Sequence, residues 1–330
     1  MHTCLHASSK SPFWGVLLFF CCAFSQNASA AGGKDSTQII RYHTINSSFN
    51  QIYRENLPTA FYGNEYGNPT HDLLTADIIP NVVLLNSDHS RFFFVVTPRI
   101  QLRLLSQYHS PVKSPSYMPG GSLYTRLNND ENRPKFLSLS YSHHSNGQEG
   151  QTLGPDGNFN LDNGKFTTNF YTLNYYFGKR NINDTAARIH SAFIGMEIHS
   201  GLFNTGYSRQ LAGKYGFVRT NASWFYDFMS DKHNHYDHYL SHHRLRFDLT
   251  YIWDRLYDYS HTDLRKRLNI SVKYYYQFGF MENVALTIGG GYRGQDPYNI
   301  YFQSNYTYVA VGIASGVSLD LRKKKHSNMK

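Results

Sequence analysis

Apolar and polar residues alternate along the second half of the chain with a period of two. From Leu245, the residues Leu245, Phe247, Leu249, Tyr251 and Trp253 are apolar, while Arg246, Asp248, Thr250 and Asp254 interleave. The set Leu268, Ile270, Val272, Tyr274, Tyr276 and Phe278 alternates with Arg267, Asn269, Ser271, Lys273 and Gln277. Val284, Leu286, Ile288 and Tyr292 repeat the pattern, and Val309, Val311, Ile313, Val317, Leu319 and Leu321 close it against small residues. Successive side chains of a strand point to opposite faces, so each run predicts a strand with one apolar and one polar or small face.

Each run is about ten residues long, the length a tilted strand needs to cross a bilayer. Further strands are predicted near 74–86, 91–106, 122–127, 135–145, 165–177, 188–199 and 217–228, with a weaker one near Tyr207–Leu211. Together they predict an all-β fold, a closed antiparallel transmembrane β-barrel of about twelve strands. Closure is required because hydrocarbon offers no partner to an open sheet edge. The soluble counterpart of the pattern, a sandwich, does not usually repeat such long strands with aromatic ends.

Composition agrees with this reading. The chain carries 27 Tyr and 23 Phe, and charged residues are only 17%. Mean hydropathy is −0.50, and no stretch after the N-terminal segment is apolar enough for a membrane helix. Barrels place aromatic residues in girdles at both interfaces. The formal charge of +9 suits an anionic lipid surface. It would also suit nucleic acid, but no basic helix or aromatic RNA-binding motif is present.

The chain divides by pattern into four parts. Residues 1–30 read as a signal peptide, with Lys10, an apolar run from Phe13 to Phe24 and a small-x-small site at Ala28-Ser29-Ala30. Residues 31–70 read as a polar segment before the barrel, 71–321 as the barrel, and 322–330 as a basic, solvated tail. Cys4, Cys21 and Cys22 all fall in the leader, so an exported chain would contain no disulfide. The histidines at 233, 235, 238, 242 and 243 lack regular ligand spacing and read as a solvated loop.

Candidate chemistry lies in Lys135–Ser145. Leu137, Leu139 and Tyr141 share one face, and the same period carries His143 and Ser145 onto it. In the next predicted strand, Tyr171, Leu173, Tyr175 and Phe177 form the apolar face, which reaches back to Asn169. If the two strands pair, an imidazole, a hydroxyl and an amide meet at one membrane rim. A serine hydroxyl needs a base to become a nucleophile, and an imidazole two residues away can supply it. An amide oxygen can orient the ring by accepting its Nδ1–H. The long connection 146–164 predicts the outer-leaflet rim, since long loops of such barrels are extracellular.

These residues resemble the outer-membrane phospholipase A family of Gram-negative bacteria. Tyr141-Ser142-His143-His144-Ser145-Asn146-Gly147 matches the family's His-x-Ser-Asn-Gly. The segment from Ser110-Pro111 to Tyr117-Met118-Pro119 is similar to the family's Ser-Pro-aromatic-Arg-x-x-x-Tyr-x-Pro, with Val112 and Lys113 as departures. Asn169-Phe170-Tyr171 resembles the segment that carries the third catalytic residue. The resemblance implies a calcium-dependent phospholipase A1/A2 of the outer membrane, active on membrane phospholipids as a homodimer. It implies a Ser-His-Asn mechanism with Gly147 N–H in the oxyanion hole and the backbone carbonyl of Gln148 as a Ca2+ ligand. Thr152, Asp156 and Asp162 are the loop's other ligand candidates, and His109 stands where the family's partner subunit donates a serine. A lipid A deacylase-type barrel esterase, whose third residue is Glu, and a non-catalytic barrel remain the alternatives.

Overall fold

The computed structural model describes residues 59–86, 91–106, 108, 112, 115–182, 186–200, 208–230, 243–277, 284–315 and 318–320. Their backbone forms β1 (Thr59–Tyr62), β2 (Asp72–Ile78), β3 (Asn81–Asn86), β4 (Phe92–Val96), β5 (Arg99–Leu105), β6 (Ser116–Met118) and β7 (Gly120–Arg126). There follow β8 (Lys135–Ser145), β9 (Thr167–Ile182), β10 (Ala186–His199), β11 (Val218–Ser230) and β12 (His243–Ile252). The set ends with β13 (Leu268–Gln277), β14 (Val284–Arg293), β15 (Tyr306–Ser315) and β16 (Ser318–Asp320). No helix among the described residues is long and apolar enough to cross a membrane.

The sixteen segments make twelve barrel strands. β2 with β3, β4 with β5, and β6 with β7 are each one strand broken at Pro80, Pro98 and Pro119, and β16 continues β15. Extending the flanking registers sets Pro80 opposite Pro98, and Pro98 opposite Pro119. A proline has no N–H for the ladder, so three adjacent strands break at one level and resume. Neighbours in sequence are neighbours in space, from β1 against β2 round to β14 against β15. Pairing of β15 with β1 and of β8 with β9 closes the sheet.

Burial runs opposite to that of a water-soluble protein. Leu139, Leu173, Ile288 and Val311 are 50–58% exposed, whereas Glu197, Arg219 and Asp227 are 0–1% exposed. The outer wall is apolar and the charges face inward, paired. Arg219 and Asn221 bond Glu197, Arg244 bonds Asp227, and Arg246 and Lys273 flank Asp248. This inversion is what a barrel immersed in lipid requires.

Two apolar clusters occupy opposite ends of the lumen. Val83, Phe93, Val95, Tyr124, Phe136 and Tyr176 pack at one end. Phe159, Phe166, Leu211, Tyr215, Phe217 and Ile300 pack at the other, where the connections β8–β9, β10–β11 and β14–β15 fold over the mouth. A cavity of ≈370 Å³ lies in the lumen, with Asp77, Arg99, Arg246, Asp248 and Lys273 in its wall.

Two boundaries depart from the sequence pattern. The barrel begins at Thr59, inside the segment 31–70 expected to precede it, because β1 pairs with β2 and β15 on its two sides. The weak strand near Tyr207–Leu211 is not one: Arg209–Leu211 is a 3₁₀ turn whose Leu211 side chain is fully buried in the loop cluster. The strand number stays at twelve because β1 takes the place of that segment. The leader 1–30, the tail 322–330 and the histidines 233–242 lie outside the described residues. His243 begins β12.

Candidate active site

β8 and β9 are antiparallel neighbours from Lys135↔Phe177 to Ser145↔Thr167, and this register sets His143 directly opposite Asn169. Phe136, Ser138 and His144 of β8 are buried inward. His143 and Ser145 therefore share the outward face with Leu139 and Tyr141. Across from them Asn169, Tyr171 and Leu173 form the outward face of β9. Asn169 is fully buried beneath its neighbours, although it lies on the outer wall.

The imidazole is held. His143 Nδ1 lies 2.8 Å from Asn169 Oδ1. An amide oxygen only accepts, so this contact puts the proton on Nδ1 and leaves Nε2 with a free lone pair. The Tyr141 hydroxyl donates to the same Asn169 oxygen at 3.1 Å. Sequence reasoning placed Tyr141 on the apolar face and missed this contact, which depends on the β8–β9 register. Ser145 follows two residues along and is paired with Thr167 and Tyr117. His143 makes no side-chain hydrogen bond to Ser145 in this resting arrangement.

The turn after Ser145 is built by Asn146, which is 1% exposed. Its Nδ2 donates to Gly164 O at 2.8 Å, and its Oδ1 accepts from Phe166 N at 2.9 Å and Gln148 N at 3.3 Å. One side chain thus ties both ends of the connecting loop. Gly147 lies between, with φ of +66°. That left-handed conformation favours glycine, while a Cβ there would only touch the Tyr117 ring in ordinary contact at 3.4 Å. The rest of the loop is folded, with bridges Gly150↔Gly164 and Leu153↔Phe159.

The loop's metal-ligand candidates sit in different surroundings. Thr152 is buried, and its carbonyl accepts from Asn160 N. Asp156 is exposed and holds Asn158 with both carboxylate oxygens, which keeps its carboxyl below the usual range. Asp162 is exposed, and Gln148 is half-buried. His109 lies outside the described residues. Among the described residues, no three His, Cys, Asp or Glu side chains gather as a metal group would need.

Behind the site, facing the lumen, His199 Nε2 lies 2.7 Å from Glu197 Oε1, and its Nδ1 lies 3.1 Å from Thr168 Oγ1. Tyr298, from the β14–β15 connection, donates to Glu197 Oε2 at 2.8 Å. The β9 backbone next to Asn169 is thereby tied to β10 and to the folded-in loop.

The fold resembles that of outer membrane phospholipase A from Escherichia coli, with TM-score 0.50 and 12% identity, over 81% of this chain and 98% of that one. A Salmonella typhi outer membrane phospholipase dimer with bound calcium is similar over 78% of this chain and 90% of that one, with TM-score 0.47 and 14% identity. An active-site mutant of the E. coli protein is similar over 84% and 98%, with TM-score 0.48 and 12% identity. No protein-family model and no curated protein sequence matches the chain.

Proposed function

We propose that the chain is an outer-membrane hydrolase that cleaves acyl ester bonds of phospholipids with Ser145, His143 and Asn169. One observation carries the reading: His143 and Asn169 are hydrogen-bonded on the lipid-facing wall at 2.8 Å, with Ser145 on the same face two residues on. A polar trio on the outer face of a barrel costs stability in hydrocarbon, and a substrate that arrives from the membrane gives it a use. The loop cluster packed over the mouth supports an enzyme over an open pore.

Ser145 Oγ attacks the acyl carbonyl while His143 Nε2 takes its proton. Asn169 Oδ1 holds the Nδ1–H of the resulting imidazolium. The Gly147 N–H donates to the developing oxyanion. As the tetrahedral species collapses, the imidazolium gives its proton to the departing glycerol oxygen, leaving an acyl ester on Ser145. Water, deprotonated by the same imidazole, then releases the fatty acid. A rotation of the Ser145 side chain completes the contact to Nε2, as happens where catalytic hydrogen bonds tighten only with substrate bound.

The sequence resemblance adds Ca2+, a homodimer and an outer-leaflet position to the proposal. Gln148, Thr152, Asp156 and Asp162 are the residues this chain would offer to hold the ion, which would supply charge stabilisation to the developing oxyanion. The experiment is fatty-acid release from phospholipid micelles by detergent-solubilised protein, with and without EDTA, beside Ser145→Ala. Loss of release in the variant supports the serine, and release that survives the substitution rejects it. Loss with EDTA supports the ion independently.

A further inference from the structure

We infer that Tyr141 is a positioning residue for the triad: its hydroxyl locks the Asn169 amide with the oxygen, not the nitrogen, toward His143. The inference rests on the hydrolase reading above. Its basis is the shared acceptor. Tyr141 Oη lies 3.1 Å and His143 Nδ1 2.8 Å from the same Asn169 oxygen.

An asparagine has a weakness in this role that a carboxylate lacks. Its two ends differ, and a half-turn about its last torsion offers an NH2 group to Nδ1. The imidazole would then hold its proton on Nε2 and could not deprotonate Ser145. A phenol hydroxyl is a strong donor and a poor acceptor, so it favours the orientation in which oxygen faces it. Tyr141 stands two residues before His143 on the same outward face, where both groups reach across to one side chain of β9. Its ring rests against Tyr171, with centroids 5.3 Å apart, which aims the hydroxyl. In this way a neutral residue, cheaper than a carboxylate beside hydrocarbon, acquires a defined direction.

The test is a four-protein cycle of wild type, Tyr141→Phe, Asn169→Asp and the double variant, each full-length in detergent. The readouts are kcat and KM for a short-chain phospholipid. Tyr141→Phe lowers kcat about tenfold, the value of one hydrogen bond, with KM unchanged. In the Asn169→Asp background both ends of the side chain are oxygens, so the same substitution costs less than about twofold, and the cycle is strongly non-additive. If turnover of the two proteins carrying Asn169→Asp is too slow, phosphonylation of Ser145 by an alkyl fluorophosphonate, followed over hours, replaces it. An equal fall in both backgrounds makes Tyr141 a packing residue and overturns the inference, as does an unchanged kcat in Tyr141→Phe. Activity that survives Ser145→Ala would instead reject the hydrolase reading itself, so the two failures are separable.

Discussion

His143 Nδ1 and Asn169 Oδ1 meet at 2.8 Å although 26 residues separate them in the chain. The β8–β9 ladder brings them together, and the ordering of catalytic effects follows from it. On the proposed mechanism, Ser145→Ala or His143→Ala removes a reacting group and lowers turnover at least about 10³-fold. Asn169→Ala removes only an orienting group and costs less, about 10–10²-fold, since some rings remain in the productive tautomer. Initial rates on phospholipid micelles check the order. Equal losses for all three would reject an orienting role for Asn169.

Asn146 holds the loop ends through three hydrogen bonds. Asn146→Ala leaves Gly164 O and Phe166 N without those bonds, a local cost of about 2–4 kcal/mol. The barrel strands do not depend on it. The expected result is faster proteolysis within 146–166 and lower kcat, because the Gly147 N–H loses its fixed direction, with barrel unfolding temperature nearly unchanged. A variant with normal turnover would show that the loop does not position Gly147.

Glu65 ties the β1–β2 connection to the barrel interior. Burial pushes its carboxyl up, but the nearby Arg293 and Arg103 outweigh this and hold it at about 2. Arg293 Nη2 contacts it at 2.6 Å, and the Tyr306 hydroxyl donates to it at 2.9 Å. The native value is depressed, so this stabilisation is complete above the unfolded value near 4.5 and is lost as pH falls toward 2. It amounts to at most about 3 kcal/mol. Unfolding temperatures in detergent should therefore separate wild type from Glu65→Gln at pH 7, and the gap should shrink below pH 4.5 and close only below about pH 2. A pH-independent gap would refute the ion-pair explanation.

Ile300 is 1% exposed in the apolar cluster over the lumen. A carboxylate there is unpaired among Phe166, Leu211 and Tyr215, which costs several kcal/mol unless the loops part. Ile300→Asp should open the mouth while the strands stay folded. Limited proteolysis would then cut the connections 146–166 and 294–305 faster than in wild type, with the barrel strands protected. Identical cleavage, with folding confirmed, would argue that the cluster does not hold the loops over the mouth.

Eleven of the twelve strands and their faces were legible from local pattern, but the twelfth was not. Ala60-Phe61-Tyr62 is too short to display a period, and β1 is a strand because β2 and β15 flank it. Near residue 210 a weak alternation was outweighed by burial of Leu211 and Tyr215 in the loop cluster. The breaks at Pro80, Pro98 and Pro119 were visible as residues, while their alignment across three strands required the register.

From the amino-acid order by itself followed a lipid-facing barrel and the common outward face of His143 and Ser145, because side-chain direction in a strand is a local property with period two. Tertiary structure decided that Asn169 stands opposite His143, that Tyr141 shares its oxygen, and that Asn146 fastens the loop. Those relationships depend on register and loop packing between distant segments, where a shift of one residue would send each side chain to the other face.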